Sequence, residues 1–253
     1  MQRAAQALFA IGLGGLGVIT LIYGDFALVW QPVPTWMPAH QGVAYGSGIV
    51  LLVCGIGLLV PVLTGWAAIL CFAYCLLWAS LKVPPLFAKP LVEESWLGLG
   101  ELVVILAGAW VLFAGYGRGF KSFPRDQVAR IARLLLGAAV IPIGLSHLVY
   151  LHQTATFVPH WFVFLVFFAV LTGVAQILCG ICLLLSIVPA WAAILQASMY
   201  TVFTIFVWIP AITAASAGRF SWTAFFVSWI ITAAAWIVAA DLVARRRIAQ
   251  NNG

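Results

Sequence analysis

Two charged residues stand at apolar stretches of this sequence, where ionised side chains are rare. Lys82 lies near the end of the third apolar run, and Glu101 lies inside the fourth. Because an unpaired buried charge is costly, we predict that the two form an ion pair within a membrane, or else that Lys82 extends to the headgroups while Glu101 faces a polar neighbour. Glu101 could relay protons or meet the polar group of a ligand, with Asp25 above it at the end of the first apolar run.

A second group of polar residues lies in the later part of the chain. Gln176 and Gln196 fall at similar depth on two successive apolar runs. Interhelical amide contacts of this kind contribute about 0.6 to 2 kcal/mol, so a mutual hydrogen bond is one interpretation. Binding of a carbonyl-bearing ligand, such as a quinone headgroup, is the other. His147 and Tyr150 would supply hydrogen-bond donors near the outer mouth of such a site.

Histidine and cysteine patterns do not predict a metal centre or a catalytic group. His147 and His152 are five residues apart, which does not place both on one ligand face of a helix. Cys179 and Cys182 form a C-x-x-C sequence inside an apolar run, without the cation or helix amino terminus that activates a thiol. We expect these cysteines to act as small packing residues, and the sequence assigns them no further role.

The elements that must position these residues are membrane helices. Of the 253 residues, 65% are hydrophobic and 7% are charged, against roughly 25% charged residues in soluble domains. A membrane-spanning helix needs about 20 largely apolar residues. Eight such runs are predicted, at Ala4–Tyr23, Gly42–Val60, Gly65–Val83, Ser95–Gly115, Ile131–Leu151, Phe162–Leu185, Ala190–Ile209 and Ser221–Ala240.

The chain contains the same four-helix unit twice. Cys54–Leu70 returns 125 positions later as Cys179–Leu195, with ten of the seventeen positions identical. We therefore predict an all-α membrane protein whose eight transmembrane helices form two tandem, parallel-oriented four-helix bundles. Residues 1–117 are the first repeat, and residues 118–253 are a basic linker and the second repeat. Counterparts of Lys82 and Glu101 in the second repeat are Val207 and Val227.

Basic residues predict the orientation of the helices, because Lys and Arg in short loops remain on the cytoplasmic side. With both termini cytoplasmic, that side carries nine of the twelve basic residues: Arg3, Arg118, Lys121, Arg125, Arg130, Arg133, Arg245, Arg246 and Arg247. The net charge of +6 is then explained by topology and by attraction to anionic lipid, and no nucleic-acid partner is expected.

One outer loop of the first repeat is rich in proline and large apolar residues. Phe26–His40 contains Pro32, Pro34 and Pro38, so it is expected to lie on the membrane surface without a long helix. There it could cap a lateral entrance for a ligand. Its partner in the second repeat, Thr156–Trp161, is expected to be shorter.

Several segments of the second repeat resemble the DoxX-like family of four-helix membrane proteins. They are RLLLGAAVIPIGLSH at Arg133–His147, FVP at Phe157–Pro159, and TGVAQILCGICLLL at Thr172–Leu185, followed by WAAIL. The family pattern carries a carboxylate where this sequence has Gln176. The resemblance implies a bacterial inner-membrane protein, similar to subunits of quinone-linked sulfur oxidation or of periplasmic redox-enzyme maturation.

These observations lead to two functional hypotheses. The first is an accessory or quinone-contacting subunit of a bacterial membrane redox system, which is not catalytic on its own and works in the lipid bilayer with a redox partner protein. The second is a transporter of a small molecule or lipid, with its pathway between the two repeats.

Overall fold

A computed structural model of the protein describes residues 1–117, 123–159, 161 and 163–251, and within those residues it contains helices and no strand. The basic residues Arg118 and Lys121 of the predicted linker lie outside the described residues. The helices are α1 (Gln2–Tyr23), α2 (His40–Leu59), α3 (Thr64–Leu81), α4 (Val83–Ala88), α5 (Glu93–Tyr116), α6 (Arg125–Val149), α7 (Leu151–Phe157), α8 (Leu165–Leu185), α9 (Pro189–Phe203), α10 (Ile209–Thr213) and α11 (Arg219–Asn251). The all-α membrane class predicted from the sequence is confirmed, since eight helical spans are long and apolar enough to cross a membrane.

Each half is built on a seam of small residues between its first two long helices. A Cβ atom added to Gly17 on α1 would lie 2.8 Å from the carbonyl oxygen of Gly48 on α2. At the matching place between α6 and α8, a Cβ on Gly144 would lie 2.7 Å from the carbonyl oxygen of Gly173. Only glycine, which has no side chain, permits the two backbones to approach this closely. Inside lipid the hydrophobic effect does not drive helices together, so close packing of this kind stabilises the helix pair.

A second matched feature lies at the other end of the same helix pairs. The Gln6 side chain donates a hydrogen bond to the carbonyl oxygen of Leu58, at 2.8 Å. Arg133, the counterpart of Gln6, donates to the carbonyl oxygens of Leu183 and, at 3.0 Å, of Leu184. Both side chains satisfy carbonyls that the end of a helix leaves without an internal partner. The duplication is therefore expressed in three dimensions as well as in sequence.

The four membrane-spanning helices of each half do not form a separate bundle, because the two sets of helices pack against each other. The last long helix of each half packs mainly against the first helix of the other half, α5 against α6 and α11 against α1, while α5 and α11 meet at the centre. Gly108 allows the central contact, since a Cβ there would lie 2.7 Å from the Cα of Ala234. Helices α1 and α11 run antiparallel, because Gly12 and Gly15 of α1 face Ile230 and Phe226 of α11 in reverse order.

Both chain ends consequently lie at one end of the bundle, and we call this the terminal side. The connections that follow α1, α6 and α10 lie at the opposite end, which we call the cavity side for the feature described below. Ion pairs connect distant segments at these ends, among them Arg245 with Asp126 at 3.2 Å and Arg219 with Asp25 at 2.9 Å. Arg245 also pairs with Asp241, one turn earlier on α11, at 2.8 Å.

The loop after α1 takes a path that the sequence did not predict. As expected, it contains no long helix, only one short 3₁₀ turn at Leu28–Trp30. The surface position is wrong for its first part, because Phe26, Trp30 and Gln31 are buried inside the first half. Gly24, with a left-handed φ of 61°, turns the chain at the end of α1, and the apolar side chains that follow are removed from water. We call Phe26–Gln31 the plug.

The loop of the second half is shorter, as expected. Residues 24–39 connect α1 to α2, whereas residues 158–164 connect α7 to α8. The whole second connection between α6 and α8, residues 150–164, also differs in conformation, because it contains the helix α7, which packs against α8.

Candidate ligand-binding cavity

A cavity of about 700 Å³ opens at the cavity side of the second half. Its walls come from α5, α6, α8, α9 and α11, and α7 with Val158 and Pro159 forms part of the rim. Aromatic side chains supply much of the wall: Trp30, Phe157, Trp161, Phe168, Phe203, Phe206, Trp208 and Phe220. Small-molecule sites typically occupy about 300 to 1,000 Å³ and combine apolar walls with a few placed polar groups. The size and wall chemistry of this cavity fit that description.

A local irregularity of α9 shapes the cavity. Directly after Phe203 the helix widens into a π-helical segment, Thr204–Trp208, before α10 begins. Thr204 stabilises the widened turn through its hydroxyl, which contacts the Ser228 hydroxyl at 2.8 Å and the Thr232 hydroxyl at 2.9 Å on α11. Widened turns of this kind are frequent at functional sites. Here the turn carries Phe206 and Trp208 into the wall.

A directed chain of hydrogen bonds runs from two glutamines behind the cavity wall to the wall itself. Gln196 donates to the side-chain carbonyl of Gln176 at 3.1 Å, and the Gln176 amide nitrogen lies 3.2 Å from His147 Nε2. His147 Nδ1 lies 3.1 Å from the Thr172 hydroxyl, which donates to the carbonyl oxygen of Phe168 at 2.9 Å. In this chain His147 accepts at Nε2 and donates at Nδ1, so a neutral imidazole satisfies both contacts. The mutual hydrogen bond of the two glutamines, one of the two interpretations from the sequence, is present.

Three polar groups in the cavity wall are available to a ligand, and one of them is the indole N–H of Trp30, which has no hydrogen-bond partner among the described residues. The hydroxyls of Tyr200 and Thr223 are buried, and neither has a hydrogen-bond partner within the described part of the chain. Because a buried polar group without a partner costs about 1 to 3 kcal/mol, such groups mark places where a bound molecule completes the bonding. The side-chain oxygen of Gln196, one turn before Tyr200 on α9, is also buried without a hydrogen-bond partner among the described residues.

The first half contributes its charged residues to this cavity. Glu94, Gly98 and Glu101 form one face of α5, and all three line the cavity. The buried Lys82 places its ammonium nitrogen against Gly98, where an added Cβ would lie only 2.6 Å away. From there it interacts electrostatically with Glu101 and Glu94. The structure therefore brings the two residues predicted to pair into one electrostatic cluster.

Asp25 lies apart from this cluster, outside the cavity wall. Its carboxylate contacts Arg219 at 2.9 Å and His40 Nε2 at 2.7 Å, and it accepts a hydrogen bond from the Phe26 amide at 2.7 Å. Burial opposes ionisation, but the hydrogen bonds from His40 and the Phe26 amide and the Arg219 charge together lower the pKa of Asp25. Asp25 thus fastens the start of the plug to α11.

Of the residues predicted from the sequence, Glu101, His147 and Tyr150 line the cavity, Lys82, Gln176 and Gln196 lie directly behind its wall, and Asp25 is elsewhere. Sequence reasoning missed Thr172, Tyr200 and Thr223. A helical spacing could have revealed the first two, since Thr172 precedes Gln176 by four residues and Tyr200 follows Gln196 by four.

No group of three His, Cys, Asp or Glu side chains that could hold a metal ion occurs in the described ranges. Five cysteines are free thiols, and Cys71 lies beside Cys54 and Cys75 in the first half. No family model, no curated protein and no solved structure matches this chain. The resemblance to the DoxX-like family therefore depends on the sequence motifs alone.

Proposed function

We propose that this protein is a DoxX-like, quinone-contacting accessory subunit of a bacterial inner-membrane redox system. The observation that supports the proposal is the aromatic cavity of about 700 Å³ with the His147, Gln176 and Gln196 chain behind its wall. A quinone headgroup is a flat ring with carbonyl oxygens, so it needs apolar faces on both sides and hydrogen-bond donors at its edge. The cavity offers both.

The aromatic wall suits the ring. Phe203 is the last residue of α9, and Phe206 and Trp208 follow it in the π-helical segment. The His147 ring lies 5.5 Å from the Phe203 ring, between centroids. Aromatic pairs at such distances contribute about 0.5 to 1.5 kcal/mol beyond the area that they bury. The hydroxyls of Tyr200 and Thr223, which lack partners among the described residues, would donate to the carbonyl oxygens.

Glu101 has a role in this proposal as the proton-holding group. Reduction of a quinone to a quinol takes up two electrons and two protons, and the electrons would come from a redox partner protein. A carboxyl group in the cavity wall can pass a proton to a carbonyl oxygen of the quinone as the electrons arrive. The positive charge of Lys82 then compensates the negative charge that remains on the Glu101 carboxylate. Both termini are proposed to be cytoplasmic, which places the cavity side outside.

The test is a binding titration with decylubiquinone on the purified full chain in mild detergent, followed by tryptophan fluorescence. Trp30, Trp161 and Trp208 line the cavity and would report occupancy. Gln176→Leu installs the residue that the first half has at the same place, Leu51, and should weaken binding about tenfold through loss of the His147 hydrogen bond. Cys71→Ala, in the other half, is the matched control and should leave binding unchanged.

Mass spectrometry of the same preparation provides a second measurement. A quinone and a redox protein should copurify from native membranes with the unaltered chain. Absence of both, together with no fluorescence response to decylubiquinone, would refute the proposal.

The transporter hypothesis has one observation in its favour, because walls from both halves enclose the cavity. The cavity lining lies near the cavity-side ends of the helices, however, and toward the terminal side Leu136, Leu183, Ala193 and Ile237 are completely buried in close packing. This arrangement binds a molecule from one side. Uptake of a labelled compound into proteoliposomes that carry the protein would favour transport instead.

A further inference from the structure

The large cavity of the second half has a filled counterpart in the first half. A residual space of about 10 Å³ remains there, between Trp30 and residues of α1, α2, α3 and α5. Four of its lining residues are Cys75, Trp78, Leu102 and Ile105. With the repeat offsets of 125 on α3 and 126 on α5, their counterparts are Tyr200, Phe203, Ser228 and Ile231, and all four line the large cavity. The two spaces are thus one site occurring twice.

The plug occupies the first copy of this site. Trp30 is 5% exposed and lines the residual space, and the Phe26 ring lies edge-on to the Trp78 ring at 5.8 Å between centroids. Gln31, 2% exposed, completes the occupant with a carboxamide. Aromatic surface followed by one amide group therefore fills the space that the scaffold leaves open.

The carboxamide of Gln31 shows how the scaffold holds a polar group at this depth. Its nitrogen donates to the Ser47 hydroxyl at 3.2 Å and to the Tyr74 hydroxyl, and its oxygen accepts from the Ala27 amide at 3.0 Å. The counterpart of Ser47 is Thr172, which lines the large cavity and contacts His147. A hydroxyl oxygen that can accept a hydrogen bond from an amide nitrogen is therefore present at the same place in both halves, while the hydrogen of the Thr172 hydroxyl is donated to the carbonyl oxygen of Phe168.

None of the described residues of the second connection, 150–159, 161 and 163–164, fills the second copy of the site. After α6 the chain forms α7 and packs against α8, so Gln153, Thr154 and Phe157 line the rim of the cavity and its interior stays open. At the positions of Cys71 and Cys75, moreover, this half carries the polar Gln196 and Tyr200. The open copy is the more polar copy, as expected of a site that receives a polar group from outside the chain.

We infer that the plug is a built-in occupant of the first site and that the second site binds a separate molecule of the same design, an aromatic ring bearing a carboxamide or ketone carbonyl. The inference rests on the proposed function and narrows its ligand class. The ring would lie against Phe203, as the plug lies against Trp78. The carbonyl-bearing group would lie between Thr172, Tyr200 and Thr223.

Indole-3-acetamide tests this inference, because it joins the ring of Trp30 to the amide group of Gln31. Isothermal titration of the full chain in detergent should show one site per chain. The matched compound 3-methylindole keeps the ring but lacks the amide, and it should bind about tenfold more weakly. Equal binding of the two compounds, or binding of neither, would overturn the inference.

Variants locate the site. Thr172→Val and Tyr200→Phe each remove one hydroxyl and should weaken indole-3-acetamide binding about tenfold. Cys75→Ala, at the position that corresponds to Tyr200 in the first half, is the control and should have no effect on affinity. Equal losses in the control and the two cavity variants would overturn the inference, and circular dichroism of each variant shows whether the fold is kept.

A second experiment opens the first site. The double variant Trp30→Ala with Gln31→Ala removes most of the plug, so the number of indole-3-acetamide sites should rise from one to two. Because Trp30 also lines the large cavity, the affinity of the original site should fall at the same time. A folded variant that still binds one molecule contradicts the inference. If the double variant does not fold, the Thr172 and Tyr200 variants decide the question.

The two proposals fail separately. If indole-3-acetamide binds with the predicted dependence on Tyr200 but decylubiquinone does not, the quinone function is wrong and the ligand class stands. If decylubiquinone binds and indole-3-acetamide does not, the correspondence between plug and ligand is wrong.

Discussion

The two halves of this protein share a scaffold and differ in what fills it. Both have a glycine seam between their first two long helices and a side-chain donor at the end of the second. In the first half, the plug fills the space between the helices and leaves about 10 Å³. In the second half, the same space is a cavity of about 700 Å³. The two copies of the helical unit thus have the same helix packing, but the space between the helices is filled in the first copy and open in the second.

The comparison also shows that the halves depend on each other. Lys82 and Glu101 belong to the first half by sequence, and their counterparts in the second half, Val207 and Val227, are apolar. Because α5 packs against α6 of the second half, the Glu101 face of α5 lines the cavity of the second half. The open site therefore takes its aromatic and amide groups mainly from one repeat and its carboxylates from the other.

The largest expected effect concerns the plug. Trp30→Ala should lower the free energy of unfolding by about 3 to 5 kcal/mol, because a large buried indole is lost and the space that it fills becomes empty. Trp161, on the open side, is 67% exposed against 5% for Trp30, so Trp161→Ala should cost less than about 1 kcal/mol. Chemical unfolding in detergent measures both. Similar losses for the two variants would show that the halves are not filled differently.

A smaller effect, equal in the two halves, is expected at the glycine seams. Gly17→Ala and Gly144→Ala should each destabilise the protein by about 1 to 3 kcal/mol, since the new methyl group meets a backbone carbonyl of the facing helix. Gly46→Ala on α2 is the control, because a Cβ there meets no atom within 4 Å. Thermal unfolding of the three variants provides the comparison. A loss confined to one half would contradict a shared scaffold.

The charged cluster of the first half should show coupling between its members. Lys82→Val and Glu101→Val install the apolar type found in the second half, and each alone leaves the other charge without its compensating field. The double variant should lose about 0.5 to 3 kcal/mol less than the sum of the single losses. Unfolding of the four proteins in the cycle measures this energy. Additive losses would mean that the two side chains do not stabilise each other.

The smallest effect concerns the contact that fastens the plug to α11. The lowered pKa of Asp25 means that its carboxylate stabilises the folded protein above about pH 4 and that this contribution disappears as the pH falls through the folded pKa. Asp25→Asn should remove this acid dependence and cost about 0.2 to 1 kcal/mol at neutral pH, the range for exposed ion pairs. Stability measured from pH 3 to pH 6 is the test. An unchanged acid profile in the variant would exclude this role of Asp25.

Local patterns allowed the helical framework to be predicted. Long apolar runs determined the eight spans, because a lipid environment forces backbone groups to pair within each segment. The glutamine pair was predictable for the same reason, since two amides at one depth have few other partners. The path of Phe26–Gln31 was not predictable. The three prolines correctly excluded a long helix. An apolar loop, however, can be buried either among lipid headgroups or inside the protein, and the shape of the neighbouring space determines which of the two occurs.

The sequence by itself determined the all-α membrane class, the duplication and the polar residues of each repeat, because these follow from composition, period and self-similarity along one chain. The tertiary structure decided which residues share a site. Interlocking of α5 with α6 carries Glu101 into the cavity of the second half, and burial of Trp30 fills the first. Both outcomes depend on close packing between segments that are distant in sequence. The same hydrophobic pattern allows several arrangements of the helices, and the close backbone contacts at a few glycines select one of them.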